Sequence, residues 1–141
     1  MKPKVYLDTD ILMDYLYARE PFFKDSIEIV SLIESGKIKG YISSLIIRNL
    51  YYLLTKALGE KSGRDKIKKF RSLIDIIAID GKIIDMGLNS KMKDFEDAIQ
   101  YYAAKSEGVK YLVTRNKKDY LSEGLTVLTP KELLHTLKEI L

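Results

Sequence analysis

The sequence contains no cysteine and a single histidine, His135, close to its end. The first absence excludes disulfides, thiolate metal sites and a cysteine nucleophile. The second leaves a serine–histidine–aspartate hydrolase with only His135 to use, which argues against that class. No apolar stretch reaches the ~18 residues of a membrane span, and the opening MKPKVYLDTD lacks the apolar core of a signal peptide. A cytoplasmic protein without membrane association is therefore expected. Low-complexity segments, internal repeats and linkers rich in Gly, Pro or Ser are also missing, so residues 1–141 read as a single domain. Nor is there a strong excess of one charge. The net charge of +4 and pI near 9.1 suit RNA or an acidic partner without choosing between them.

What is present is a 46% hydrophobic fraction, enough for a core, arranged as short β-branched runs alternating with helical stretches. That alternation predicts an α/β fold with a parallel sheet covered by helices. Strands are expected at 5–8, 41–43, 76–79, 111–114 and 126–128. Helices are expected at 10–18, from Pro21 to Gly36, after a Ser44 cap, at 82–89, at 94–106 and from Pro130. The second helix is expected to bury Phe22, Ile29, Val30 and Ile33. The third carries Ile46, Leu50, Leu53, Leu54 and Ala57 on one stripe. A turn at 59–63 leads into a basic helix with Ile67, Phe70 and Ile74 inward and Lys61, Arg64, Lys66, Lys68, Lys69 and Arg71 outward.

In an open parallel sheet, sites form beyond the carboxyl ends of the strands. Asp8 and Asp10 close the first strand, Ser43 and Ser44 the second, and Arg115, Asn116 and Asp119 follow the fourth. Asp94 and Asp97 occupy the first turn of the helix leading into it. Clustered carboxylates raise one another's pKa unless a cation neutralises them. Oxygen donors without Cys or His select a hard ion, Mg²⁺ or Mn²⁺. Such an ion suits cleavage of a nucleic-acid backbone.

Each residue also has a purely structural reading. Asp8 can cap the helix that follows it. Asp94 and Asp97 match a capping arrangement, with Asp94 as N-cap and Asp97 three residues on. Asp119 can begin a turn. The basic helix can be a solvated face. Asn49 places an amide at the margin of an apolar stripe, where it bonds to backbone or points at the carboxylates.

The segments VYLDTDILMDYL, YISSLIIRNLYYLL, DFEDAIQYYAA, YLVTRNKKDY and VLTPKELL together resemble the PIN-domain family, especially its VapC-like toxin ribonucleases, over nearly the whole chain. The resemblance implies a PIN-like three-layer α/β/α sandwich with strand order 3-2-1-4-5. It implies Asp8, Asp97 and Asp119 as ligands of Mg²⁺ or Mn²⁺, with Asn116 completing the site. Asp10, Asp94, Glu96, Thr114 and Arg115 are helpers, and Asp10 stands where the family mostly has Asn. Asn49 aligns with the family's usual glutamate, and an amide binds a divalent cation more weakly. The implied activity is metal-dependent cleavage of RNA, with Arg115, Lys117 and Lys118 attracting the backbone. The implied partners are RNA, an antitoxin protein that inserts a segment into the acidic site, and a second copy in a homodimer.

Two other readings follow. Asn49 favours a PIN-like module that binds RNA or protein without cutting. A receiver-like phospho-acceptor would need Asp80 to end the third strand and Lys131 to serve near the fifth, and it fits Asp8 and Asp10 only in part.

Overall fold

Short apolar strands buried on both faces need helices on both sides, and that requirement organises the chain. The computed structural model describes residues 2–121 and 123–141. The strands are β1 (Lys4–Leu7), β2 (Lys39–Ser43), β3 (Asp75–Ile77), β4 (Tyr111–Val113) and β5 (Thr126–Leu128). All pairs are parallel and the order is β3-β2-β1-β4-β5. The α/β/α arrangement and strand order expected from the resemblance are thus observed. A receiver-like domain would place β3 next to β1 at the centre. Here β3 is an edge strand, and Asp80 caps the following helix through Ile83 N–H.

The helices are α1 (Thr9–Leu16), α2 (Phe23–Glu34), α3 (Ser44–Leu58), α4 (Glu60–Arg71), α5 (Gly81–Leu88), α6 (Phe95–Ser106) and α7 (Pro130–Ile140), with a 3₁₀ turn at Lys117–Asp119. No helix among the described residues is long and apolar enough to cross a membrane. The core runs through the sheet: Val5, Tyr6, Leu7, Ile42 and Leu112 are fully buried, with Ile11, Ile29, Leu50, Ala98 and Leu133 closing over them from the helices.

Several boundaries differ from expectation, each for a local reason. α1 starts at Thr9 because Asp8, one residue earlier than expected, ends the strand and caps the helix. Ser43 rather than Ser44 caps α3, its Oγ accepting from Ile46 N–H at 3.3 Å. Ser44 Oγ instead accepts from Ile79 N–H, beyond the edge strand. The chain turns at Gly59 alone, where φ is 89°. Gly63 lies inside α4, at its crossing with α3: a β-carbon there would sit 2.9 Å from the Thr55 backbone nitrogen. The buried stripe of α3 is Ile46, Leu50 and Leu54, and Leu53 and Ala57 are exposed. Phe22 is not a core residue. It is 39% exposed and precedes α2.

Strand register decides what meets at the carboxyl edge. Leu7 pairs with Val113, so the next residues, Asp8 and Thr114, emerge side by side. Asp8 N–H donates to Val113 O at 3.1 Å and carries the ladder one step past the strand.

Candidate active site

Asp8 caps α1 and also faces its neighbour on the sheet. One carboxylate oxygen accepts from Thr9 N–H at 2.7 Å, and the other from the Thr114 hydroxyl at 2.9 Å. The structural and functional readings of Asp8 are therefore compatible: the cap fixes the carboxylate's orientation at the sheet edge. Burial pushes its pKa up, while the Thr114 and Thr9 donors pull it down.

α6 brings the second acid. Asp94 is its N-cap, accepting from Asp97 N–H at 2.9 Å, as expected from the spacing. Asp97, three residues in, is half-buried. Its carboxyl is pushed up to about 6 by burial first, then by the negative charges of Asp94, Asp8 and Asp119. The Tyr120 hydroxyl opposes this, donating to Asp97 Oδ1 at 3.2 Å and also helping to hold Asp8 ionised. Burial and the same two acids raise the Tyr120 pKa far above its ordinary value, so the phenol stays a neutral donor between them. The sequence reading missed Tyr120. Its signal was an aromatic directly after Asp119, where the polar and charged run 114–119 ends.

The remaining candidates divide. Asn116 is exposed, and its backbone N–H donates to the Thr114 hydroxyl at 3.1 Å. Asp119 is exposed on the 3₁₀ turn and reaches Asp97 through its charge. Among the described residues no three acidic or histidine side chains converge into a ready-made metal cage. The expected trio Asp8, Asp97 and Asp119 is thus one electrostatic neighbourhood but not a preformed three-ligand site, because Asp119 stands on the solvent side of the turn. Asn49 is half-buried, and its amide donates to Glu96 Oε1 at 3.2 Å.

Two expected RNA contacts are already engaged. Arg115 Nε lies 3.1 Å from Asp14 Oδ2, an ionic contact off the hydrogen-bond axis. Its guanidinium also lies 3.4 Å from Asp14 Oδ1, 3.8 Å from Asp10 and 3.8 Å above the centre of the Phe22 ring. Arg19 binds Asp14 at 3.0 Å and Asp10 at 3.3 Å. Asp10 and Arg115 therefore belong to a structural ion network around Asp14, whose side chain is fully buried. Lys117 is likewise paired with Glu132 at 3.0 Å. Asp14 escaped the sequence reading, although it lies within the run Ile11–Leu16, where an acid between apolar neighbours was the available clue.

The geometry offers two enclosed carboxylates, a fixed neutral donor between them, and an excess of negative charge. Its donors are all oxygen, which fits a hard divalent ion that keeps most of its water and takes only one or two carboxylates. The charge excess also predicts a pH effect. A carboxyl whose pKa is raised in the fold costs nothing below its unfolded value near 3.8, and the cost is complete once pH has risen through about 6. Asp97→Asn should therefore stabilise the metal-free protein at pH 7.5 by about 1 kcal/mol, a figure reduced for solvent screening of a half-exposed group. The gain should shrink to about a fifth of that by pH 4. Urea titrations at the two pH values measure it, and an equal effect at both would contradict the proposed repulsion.

Residues 4–118 match the PIN domain family. The chain is 29% identical to Ribonuclease VapC1 of Aquifex aeolicus (strain VF5) over 134 residues, 92% of each chain. A toxin-antitoxin complex from Klebsiella pneumoniae superposes with a TM-score of 0.66 at 25% identity, over 89% of this chain and 97% of that one. DNA-bound VapBC from Salmonella typhimurium gives 0.68 at 18% identity over 91% and 98%, a likeness of fold alone.

Proposed function

Because the chain belongs to the PIN-domain family, we propose that it is a divalent-metal-dependent endoribonuclease with Asp8 and Asp97 at the reaction centre. The observation that carries this reading is the meeting of Asp8 and Asp97 around the Tyr120 hydroxyl, 3.2 Å from Asp97, with Asp94 and Asp119 beside them, a site short of positive charge. Asp8 and Asp97 would hold Mg²⁺ or Mn²⁺, with Asp119 adding charge from the rim. When bound, such an ion supplies Lewis-acid stabilisation of the phosphate and lowers the pKa of water.

The chain's own groups do the positioning. Thr9 N–H and the Thr114 hydroxyl each hold one oxygen of Asp8, so its carboxylate cannot rotate away. Tyr120 holds Asp97 and keeps its proton through the whole physiological range. Asn116, exposed just beyond β4, would meet substrate or orient water. The likeness to Ribonuclease VapC1 and to a toxin–antitoxin complex supports RNA as substrate and an antitoxin as protein partner.

Incubation of an RNA substrate with the purified protein tests the proposal. Cleavage should stop in EDTA and return with excess Mn²⁺. Cleavage that continues unchanged in chelator would overturn metal dependence. A second reading, RNA binding without cleavage, draws on one observation: Asn49 donates to Glu96 and brings no charge to the site. RNA binding with no cutting in Mn²⁺, joined to a gain of cutting in Asn49→Glu, would favour it.

A further inference from the structure

Beside the acidic pair lies a cleft of about 480 Å³, between the segment that leads into α6 and the 3₁₀ turn. That volume lies within the ordinary range of ligand pockets, about 300–1,000 Å³. Its floor is apolar: Met92 and Leu121 are partly buried against the core. Its rim is cationic. Lys91 and Lys93 come from the α5–α6 connection and Lys118 from the turn, so two segments distant in sequence bring three exposed lysines to one opening.

None of these lysines forms an ion pair among the described residues. Their neighbours Arg115 and Lys117 are held by Asp14 and Glu132. The lining also includes Asp94 and Asp119, two of the three acids whose charge acts on Asp97, and Tyr120, whose hydroxyl donates to Asp97. The cleft thus adjoins the candidate reaction centre, and its lysines outnumber its acids.

The geometry points to this cleft as a nucleotide subsite, taking the nucleotide next to the cleaved bond of a single RNA strand. The base or ribose rests on Met92 and Leu121, and the lysines take the adjoining phosphate. This inference rests on the RNA reading above and deepens it. A lysine ammonium is a mobile point charge without the planar fork that reads a base edge. The contacts are therefore to backbone phosphate and tolerant of sequence. They also offset the repulsion an RNA strand meets on approaching Asp8, Asp94, Asp97 and Asp119.

The test is binding of a fluorescent single-stranded RNA oligonucleotide in EDTA, read by anisotropy across a salt series, so no cleavage is needed. The triple variant Lys91→Gln, Lys93→Gln, Lys118→Gln is compared with Lys61→Gln, Lys66→Gln, Lys68→Gln on α4, which removes the same charge elsewhere. Thermal melts confirm that both variants fold. Each lysine that no longer neutralises a phosphate should flatten the slope of log K against log salt by about 0.7. The cleft variant should bind at least tenfold more weakly at low salt, and the α4 variant within threefold of wild type. Equal losses in both would mean general electrostatics and overturn the subsite, as would a cleft variant that binds like wild type. Wild-type binding without cutting in Mn²⁺ would remove the nuclease proposal and leave the cleft as an RNA-binding site with no cleaved bond beside it. Failure of wild type to bind RNA at all would remove both.

Discussion

Asp8→Asn and Asp97→Asn should each reduce RNA cleavage by about a thousandfold or more in Mn²⁺ while leaving the fold intact. The change is nearly isosteric and removes one charge and one strong acceptor from a site with no surplus of ligands. An ion held by only two carboxylates loses much of its affinity when one becomes an amide. A thousandfold loss corresponds to about 4 kcal/mol of transition-state stabilisation. The two substitutions differ in their second effect. Asp97→Asn removes the charge that Asp94, Asp8 and Asp119 oppose, so activity and neutral-pH stability should move in opposite directions, as expected where function maintains repulsion. Asp8→Asn keeps one oxygen for Thr9 N–H but turns an NH2 toward the Thr114 hydroxyl, which must change from donor to acceptor, so its stability should fall by about 1 kcal/mol. Single-turnover cleavage and urea unfolding on the same preparations measure both. Retention of more than a tenth of wild-type cleavage in either variant would remove that carboxylate from the reaction centre.

Asp14→Ala should be the most destabilising single change at a charged residue of the protein, at about 3–5 kcal/mol. Asp14 is fully buried and sits between Arg115 and Arg19. Burial raises its pKa, and the charges of Arg115 and Arg19, with the Arg19 hydrogen bond, oppose that rise. Removing the carboxylate leaves two cations facing each other, with only the half-exposed Asp10 to share. The expected value lies toward the lower end because both arginines remain partly hydrated. Against a total stability of roughly 5–15 kcal/mol for an ordinary domain, such a loss is large. It also frees Arg115 from the end of β4, where the chain turns toward Asn116 and Asp119. A partial recovery in Asp14→Ala, Arg115→Met would show that the cost is an unpaired cation rather than a cavity. A loss under 1 kcal/mol by urea titration would show that the network carries little stability.

The contrast between Asp8 and Arg115 shows how far the sequence could be read. Asp8 follows a short apolar strand and precedes an amphipathic helix, and both signals are local. Its place at a sheet edge then follows from the rule that sites gather at the carboxyl ends of parallel strands. Asp94 and Asp97 were legible for the same reason, since a cap and its third helical residue are separated by a fixed spacing. Arg115 shares that strand-end location, yet its charge is spent on Asp14, 101 residues away in sequence. Lys117 is spent on Glu132, 15 residues on. No local pattern distinguishes a free cation from a paired one, so of the expected RNA contacts Arg115 and Lys117 fall in ion pairs, Lys118 has none among the described residues, and Lys91 and Lys93 carried no signal. Phe22 was misplaced in the core for a related reason: an aromatic ring is covered as well by a guanidinium as by other apolar groups.

By itself the amino-acid order determined the alternation of strands and helices, the parallel sheet, and which acids lie at its carboxyl edge, because periodicity, caps and strand ends are set by neighbours along the chain. The tertiary structure alone decided that Tyr120 stands between Asp8 and Asp97, that Asp14 is buried, and which lysines remain unpaired. Those outcomes depend on register between β1 and β4 and on the seating of α6 against them, where ångström-scale distances between remote residues set the electrostatics.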